Sequence, residues 1–216
     1  MKRVFIIHGY DAAPSDNWFP WLKKELETKD FEVQVPQMPD ADNPTLDKWL
    51  SHLQQIVGQC NENTYLVGHS LGTITVLRFL EALPESEKAG GIVLVGGFSE
   101  SLGFKPLETF TQKPLDYEKV KRSVNKIMAI HSTDDKSVPY RFAEIIRDKL
   151  SADLITLHGG TPISAPSMKE VPLEQNPDAF SFAEKLFEGK IDLVIFLTGV
   201  GTRTLVEALE TKYAKE

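Results

Sequence analysis

The chain is poor in cysteine, in clustered positive charge and in long apolar runs. Its one thiol, Cys60, cannot form an internal disulfide, so a reducing compartment is allowed. Lysine and arginine cluster only in short pairs, and 24 of them against 31 acidic residues give a net charge of −7. Phosphate binding needs clustered positive charge, which argues against a nucleic-acid or anionic-membrane surface. The apolar run at residues 4–7 is too short for a signal peptide or a membrane span, so we expect a cytoplasmic protein.

Apolar residues are plentiful and regularly placed. They make up 41% of the chain, against 25% charged residues, which excludes a disordered, collagen-like or coiled-coil protein. Short runs rich in Val, Ile and Leu predict buried strands at 4–7, 33–35, 65–67, 92–95, 127–130 and 154–157. Apolar spacings of three and four predict helices at 18–28, 46–57, 71–82, 117–122 and 141–150. This alternation predicts an α/β fold, a three-layer sandwich with a mainly parallel sheet. Residues 99–114 are predicted as a surface excursion over the carboxyl edge of the sheet.

A nucleophile elbow is predicted where an apolar strand runs into Gly68-His69-Ser70-Leu71-Gly72 and then into a helix. Small residues on both sides of the serine allow the sharp turn that lifts its hydroxyl above the sheet at a helix N-terminus. The alternative is that Ser70 is only an N-cap between two packing glycines.

An oxyanion hole is predicted beside this serine. His8-Gly9 follows the first strand, where an α/β-hydrolase places the loop that gives one of the two donors. We expect those donors to be the backbone N–H groups of Tyr10 and Leu71. The alternative is that His8 and Gly9 simply end a strand.

An acid is predicted on the loop after a late strand, where Asp134-Asp135 precede Val138-Pro139. This position suits the member of a Ser/Asp/His triad that orients the imidazole, and Asp135 has better spacing than Asp134. Two acids in a loop are otherwise most often solvated turn formers. We expect neither a metal ion nor a cofactor.

Residues 1 to about 160 resemble the small serine hydrolases of the YdeN / retinoblastoma-binding-protein type, within the α/β-hydrolase superfamily. The resemblance is carried by Ile6-Ile7-His8-Gly9-Tyr10, Asn17-Trp18-Phe19-Pro20-Trp21-Leu22, Met38-Pro39, Asn63-Thr64-Tyr65-Leu66-Val67, the elbow with Leu77-Arg78-Phe79-Leu80, residues 91–95 with Gly97-Phe98, and Asp134-Asp135 with Val138-Pro139. It implies an α/β-hydrolase-like fold and a small-molecule ester or acyl substrate. Ser70 matches the nucleophile and Asp135 the acid.

The general base is where the chain departs from this family. The family carries it on the second histidine of a His-Gly-Gly-His turn, whereas this chain reads His158-Gly159-Gly160-Thr161. Threonine cannot take a proton from Ser70 near neutral pH. His158 is the nearest substitute, but it lies three residues early, up to about 10 Å along an extended chain. The sequence therefore favours a structural histidine at a strand end over a substitute base. We therefore expect weak or absent hydrolase activity.

From His158 onward the chain resembles an internal part of bacterial uroporphyrinogen-III synthase. The matching stretches are His158-Gly159-Gly160-Thr161-Pro162, residues 165–174, Asn176-Pro177, Phe182-Ala183-Glu184 and residues 191–203. The sequence there predicts a helix at 178–188, a strand at 191–197 and a helix at 202–213. We therefore predict a chimera: a hydrolase-like core at 1–160 and a helix–strand–helix unit at 161–216 that packs on or extends the same sheet.

Two alternatives to a hydrolase remain open at this stage. One is a non-catalytic chimeric scaffold with no biological substrate. The other is a tetrapyrrole or anion binder that uses Thr198-Gly199-Val200-Gly201-Thr202, which opens a helix. Because the second segment matches only part of one lobe of the synthase, cyclisation of a linear tetrapyrrole is not expected.

Overall fold

The structure is a computed structural model that describes residues 1–157. The predictions for His158, Thr161 and the helix–strand–helix unit lie outside the described residues. The strands are β1 (Arg3–Ile7), β2 (Glu32–Gln34), β3 (Thr64–His69), β4 (Gly91–Val95), β5 (Ile127–Ser132) and β6 (Asp153–Leu157). The helices are α1 (Phe19–Glu27), α2 (Leu46–Val57), α3 (Leu71–Ala82), α4 (Glu108–Thr111), α5 (Tyr117–Arg122) and α6 (Arg141–Leu150).

All the strands of the described sheet run parallel. Their order is β2-β1-β3-β4-β5-β6, and β1 pairs with β3 in a register that ends at Ile7 opposite Gly68. Parallel neighbours need crossover connections, which the helices between the strands supply. The predicted α/β fold with a mainly parallel sheet is confirmed.

Each strand sends alternate side chains to opposite faces of the sheet, and both faces are covered. Phe5 and Ile7 of β1 belong to the core cluster formed with α2, α3, α5 and α6. Val4 and Ile6 belong to a second cluster, in which Phe19, Leu22 and Leu26 of α1 are buried. Strands buried on both faces explain why their sequences are continuous apolar runs rather than alternating ones.

The excursion at 99–114 is more ordered and more buried than predicted. It carries a 3-10 turn, Lys105–Leu107, followed by α4, and the Phe110 side chain is completely buried. Arg78 of α3 holds it in place: its Nε donates to the Phe110 carbonyl at 3.0 Å, and another guanidinium nitrogen donates to the Lys113 carbonyl. The same guanidinium pairs with Glu81 at 2.7 Å. The excursion is therefore a fixed part of the core.

Within residues 1–157, the helices are too short or too polar for any of them to cross a membrane.

Candidate active site

The site lies at the carboxyl edge of the sheet, where the strand order reverses. The chain goes from β1 outward to β2 and then returns to β3 on the other side of β1. Loops that leave β1 and β3 in opposite directions open a crevice at this point, the usual ligand position in open α/β sheets. The loop after β1 carries Gly9 and Tyr10, and the turn after β3 carries Ser70. A Cβ built on Gly9 would lie 3.2 Å from the Ser70 Cβ, so the two loops touch.

Ser70 occupies a strained turn between β3 and α3. Its φ of 52° and ψ of −114° are unusual for a residue with a side chain, and its N–H donates to the Val95 carbonyl at 2.9 Å. Both glycines of the motif are required by close backbone contacts. A Cβ on Gly68 would lie 2.6 Å from the Gly72 carbonyl oxygen, and one on Gly72 would lie 2.2 Å from the Ile7 carbonyl oxygen. The structure thus has the strand–turn–helix geometry of a nucleophile elbow.

The two expected oxyanion donors come from the loops on either side of this crevice. Leu71 is the first residue of α3, so its N–H has no carbonyl four residues earlier in the helix and lies at the positive end of the helix dipole. Tyr10 follows Gly9, and the next residue, Asp11, anchors the loop by donating its N–H to the Ala41 carbonyl at 2.7 Å. Two such amides facing one point can stabilise a developing oxyanion.

Asp135 lies in the loop after β5 and borders the end of β4. Its Oδ1 accepts hydrogen bonds from the N–H groups of Ser137 and Val138, at 2.8 and 2.9 Å. Its Oδ2 would lie 3.5 Å from a Cβ built on Gly96. Gly96 follows Val95, whose carbonyl accepts the hydrogen bond from the Ser70 N–H. One carboxylate oxygen is thus fixed by the backbone, and the other lies beside the residue that follows β4.

Asp134, the other predicted acid, differs from Asp135 in exposure and partner. It lies exposed, and its carboxylate accepts a hydrogen bond from the Ser132 hydroxyl. The Asp135 side chain is only 9% exposed, and its role as the orienting acid stays a prediction.

His131 supports the loop that carries Asp135. Its Nε2 lies 2.8 Å from the Val138 carbonyl, which can only accept, so this nitrogen carries the proton and donates. The same nitrogen lies 3.9 Å from Asp135 Oδ2, and the ring packs edge-to-face against Tyr140. His131 is therefore a structural partner of the acid loop.

Two histidines of the described range, His8 and His69, lie beside the elbow. His8 accepts from the Met38 N–H through Nε2 at 2.9 Å, and its Nδ1 donates to the Gly9 carbonyl at 2.8 Å. Burial lowers the pKa of His8, which keeps this ring neutral. His69 packs edge-to-face with Trp18 and Phe19, and burial, followed by the neighbouring His8, lowers its pKa to about 4. Neither ring is hydrogen-bonded to Ser70 in the described part of the chain.

The general base is expected just after Leu157, the last residue that the structure describes. The carbonyl of Leu157, the last residue of β6, accepts from the Thr133 N–H at 3.0 Å, two residues before Asp135. The chain therefore leaves the sheet beside the acid loop. His158 and Thr161 lie outside the described residues, and their roles stay predictions.

The sequence reasoning missed one side chain at this site, Phe104. Its ring meets the Tyr10 ring edge-to-face, with centroids 5.6 Å apart, although 94 positions separate the two residues. An isolated phenylalanine in a Gly/Pro-containing segment carries no periodic signal, and only the folded excursion brings it to Tyr10.

Comparison with known proteins places this geometry in a family. The serine hydrolase family model matches residues 4–168. YdeN of Bacillus subtilis (strain 168), named as a hydrolase, is 39% identical over 174 residues, which cover 80% of this chain and 92% of that protein. The serine hydrolase RBBP9 of Rattus norvegicus is 28% identical over 149 residues, 68% of this chain and 77% of that protein.

Solved structures show the same fold. The crystal structure of the ydeN gene product from B. subtilis superposes with a TM-score of 0.70 at 40% identity, over 74% of this chain and 87% of that one. Est1E from Butyrivibrio proteoclasticus, seen with bound ferulic acid, gives a TM-score of 0.63 at 14% identity, over 87% and 90% of the two chains, and supports the fold alone. The resemblance predicted for residues 1–160 is confirmed, whereas the one to uroporphyrinogen-III synthase stays a prediction. The chain belongs to the serine hydrolase family.

Proposed function

We propose that this protein is built to hydrolyse small-molecule esters or related acyl compounds through Ser70, and that its turnover is weak or absent because Thr161 occupies the position of the general base. The observation that carries the proposal is the strained elbow, which holds Ser70 between the oxyanion-side loop after β1 and the first amide of α3.

The proposed chemistry begins with attack of the Ser70 hydroxyl oxygen on the carbonyl carbon of the substrate. As that C–O bond forms, negative charge develops on the carbonyl oxygen, and the N–H groups of Tyr10 and Leu71 stabilise it. The serine proton must pass to a base, which the carboxylate of Asp135 would orient. When the intermediate collapses, the bond to the leaving oxygen breaks, and that oxygen takes the proton from the base and departs as the alcohol. Water, giving a proton to the same base, then attacks the serine ester, and the proton returns to Ser70 as the acid is released.

The base is the missing part of this sequence of steps. A threonine hydroxyl does not accept a proton near neutral pH. When a triad member is absent, oxyanion stabilisation and binding still leave roughly 10³- to 10⁴-fold catalysis over water. The proposal therefore allows slow, Ser70-dependent turnover, not rapid hydrolysis. The scaffold and tetrapyrrole alternatives rest on residues outside the described range, and no contact among residues 1–157 favours either.

Hydrolysis of p-nitrophenyl acetate tests the proposal with four proteins. The native chain is expected to be slow and Ser70→Ala no faster than buffer, while Thr161→His should raise kcat/KM. Adding Asp135→Asn to Thr161→His should remove most of that gain, because the amide oxygen still accepts from Ser137 and Val138 but the negative charge is lost. Rapid native turnover that Ser70→Ala abolishes would contradict the slow-turnover prediction and favour His158 as the base. Equal rates for the native chain, Ser70→Ala and Thr161→His would refute the hydrolase proposal.

A further inference from the structure

Phe104 is an exposed aromatic side chain that the fold holds in a defined place. It is 48% exposed, and within residues 1–157 the only other large hydrophobic side chain so exposed is the terminal Met1. Solvent-exposed apolar surface next to a catalytic centre is a common mark of a ligand contact. Its ring contacts Tyr10, whose backbone N–H is the expected oxyanion donor.

The segment around Phe104 is anchored on both sides. The Phe104 carbonyl accepts from the Leu107 N–H at 3.0 Å, and the preceding Gly103 donates its N–H to the Ser101 hydroxyl at 3.1 Å. Leu107 and Phe110 are buried, and Arg78 holds the Phe110 carbonyl. The ring is thus presented by a braced turn.

The order of the strands decides which part of a substrate would meet this ring. Tyr10 follows β1, whereas Asp135 follows β5, so the two lie on opposite sides of the Ser70 turn after β3. A leaving group must lie on the side of the acid and the base it orients, because the departing oxygen takes its proton there. The acyl group then extends to the other side, toward β1.

We propose that Tyr10 and Phe104, here called the acyl-side pair, contact the acyl group of the substrate and select apolar or aryl-substituted acyl groups over acetyl. The inference rests on the proposed function and names its substrate class. On this proposal, a hexanoyl or phenylacetyl group reaches the Phe104 ring and removes part of it from water, whereas an acetyl group does not. Burial of apolar surface makes the longer acyl groups better substrates.

The ratio of kcat/KM for p-nitrophenyl hexanoate to that for the acetate tests the pair. Phe104→Ala is expected to lower this ratio about tenfold, and Phe104→Leu by less. Lys105→Ala, an exposed neighbour on the same turn, is the matched control and should leave the ratio unchanged. A ratio that Phe104→Ala does not lower, or that Lys105→Ala lowers equally, overturns the proposal.

Failure of catalysis and failure of the pair are separated by a binding measurement. If the native chain, Ser70→Ala and Thr161→His all hydrolyse acetate at the same rate, the proposed function fails. The contribution of the acyl-side pair is then measured by saturation-transfer NMR with the neutral ketone 4-phenyl-2-butanone. The native chain is expected to bind this ketone, and Phe104→Ala to weaken binding about tenfold. Equal affinity in the two proteins, or no binding by the native chain, overturns the acyl-side pair.

Discussion

Replacement of Gly72 by alanine tests the closest backbone approach at the elbow. A methyl carbon at residue 72 would lie 2.2 Å from the Ile7 carbonyl oxygen and 2.8 Å from the His8 carbonyl oxygen. Because both oxygens belong to backbone, no side chain can rotate away, and α3 must move from β1 by about 1 Å to restore normal contact. Overpacking of this kind costs about 3 kcal/mol, at the upper end of the usual range. The better helix propensity of alanine offsets at most about 1 kcal/mol, leaving a net loss of about 2 kcal/mol.

Urea unfolding followed by tryptophan fluorescence measures this loss, and a thermal scan should show a fall of about 4–8 °C. Gly91→Ala is the matched control, since its Cβ would lie 3.3 Å from the Tyr65 ring and at an ordinary contact distance of 3.6 Å from the Lys126 carbonyl oxygen. We expect that variant to stay within about 1 kcal/mol of the native chain. The same displacement would move the Leu71 N–H relative to the loop that carries Tyr10, so Gly72→Ala should also slow any Ser70-dependent turnover. Native-like stability of Gly72→Ala would refute this account of why the motif needs its second glycine.

Three further predictions concern strain, pH and the braced excursion. Ser70→Gly should be more stable than Ser70→Ala by about 1 kcal/mol in urea unfolding, because glycine adopts a φ of 52° without strain; equal stabilities would contradict the strain. Because the pKa of folded His69 is about 4 against an ordinary 6.5, the unfolded chain binds the proton first. Stability should fall as pH is lowered from about 6.5 to 4, by about 3 kcal/mol, and His69→Phe should remove this part of the slope; an unaltered slope would rule it out. Arg78→Met should lower the free energy of unfolding by about 3 kcal/mol and speed proteolysis within 99–114, because the Phe110 and Lys113 carbonyls lose their donor. Glu81→Gln keeps a hydrogen-bonding oxygen for Arg78 and should lower it much less. Equal losses in the two variants would show that the carbonyl contacts are unimportant.

Most of the described fold was predictable because its buried strands and helices carry regular apolar patterns in the sequence. Four predicted helices, at 46–57, 71–82, 117–122 and 141–150, have the predicted bounds. The first helix is one residue shorter at each end, and several strands extend one or two residues beyond their apolar runs. Strand ends depend on backbone pairing with neighbours, as at Ser132 opposite Leu157, and an apolar pattern does not report such pairing.

The excursion was predictable in position but not in structure. Its helical segments are too short to show a period, and their burial depends on Arg78, which lies far away in the sequence. A signal was available, since Arg78 is the single charged residue among the first ten residues of α3 and needs polar partners if it is buried. Its partners in the excursion are backbone carbonyls, and the sequence does not indicate which carbonyls a buried side chain will bind.

At the site, the motif located the elbow, and its surroundings came from the fold. The elbow glycines were predicted as small residues that permit a turn. The structure adds that neighbouring backbone approaches each of them too closely for a Cβ. The choice of Asp135 over Asp134 followed from spacing and stays a prediction; the structure adds that the Asp135 side chain is largely buried and accepts two backbone hydrogen bonds. The contact of Phe104 with Tyr10 could not be predicted, because it depends on how the excursion folds back across the sheet.

The hydrogen bond from Thr133 to the Leu157 carbonyl has a consequence for how such enzymes can be altered. It fixes where the chain leaves the last described strand, and it uses only backbone atoms, so this exit point does not depend on the residues that follow. The proposed nucleophile, oxyanion donors and acid all come before that point in the sequence. Exchange of the following segment therefore leaves these proposed site residues unchanged. Histidine placed in turn at each of the first positions after Leu157 is a compact library from which faster variants can be selected.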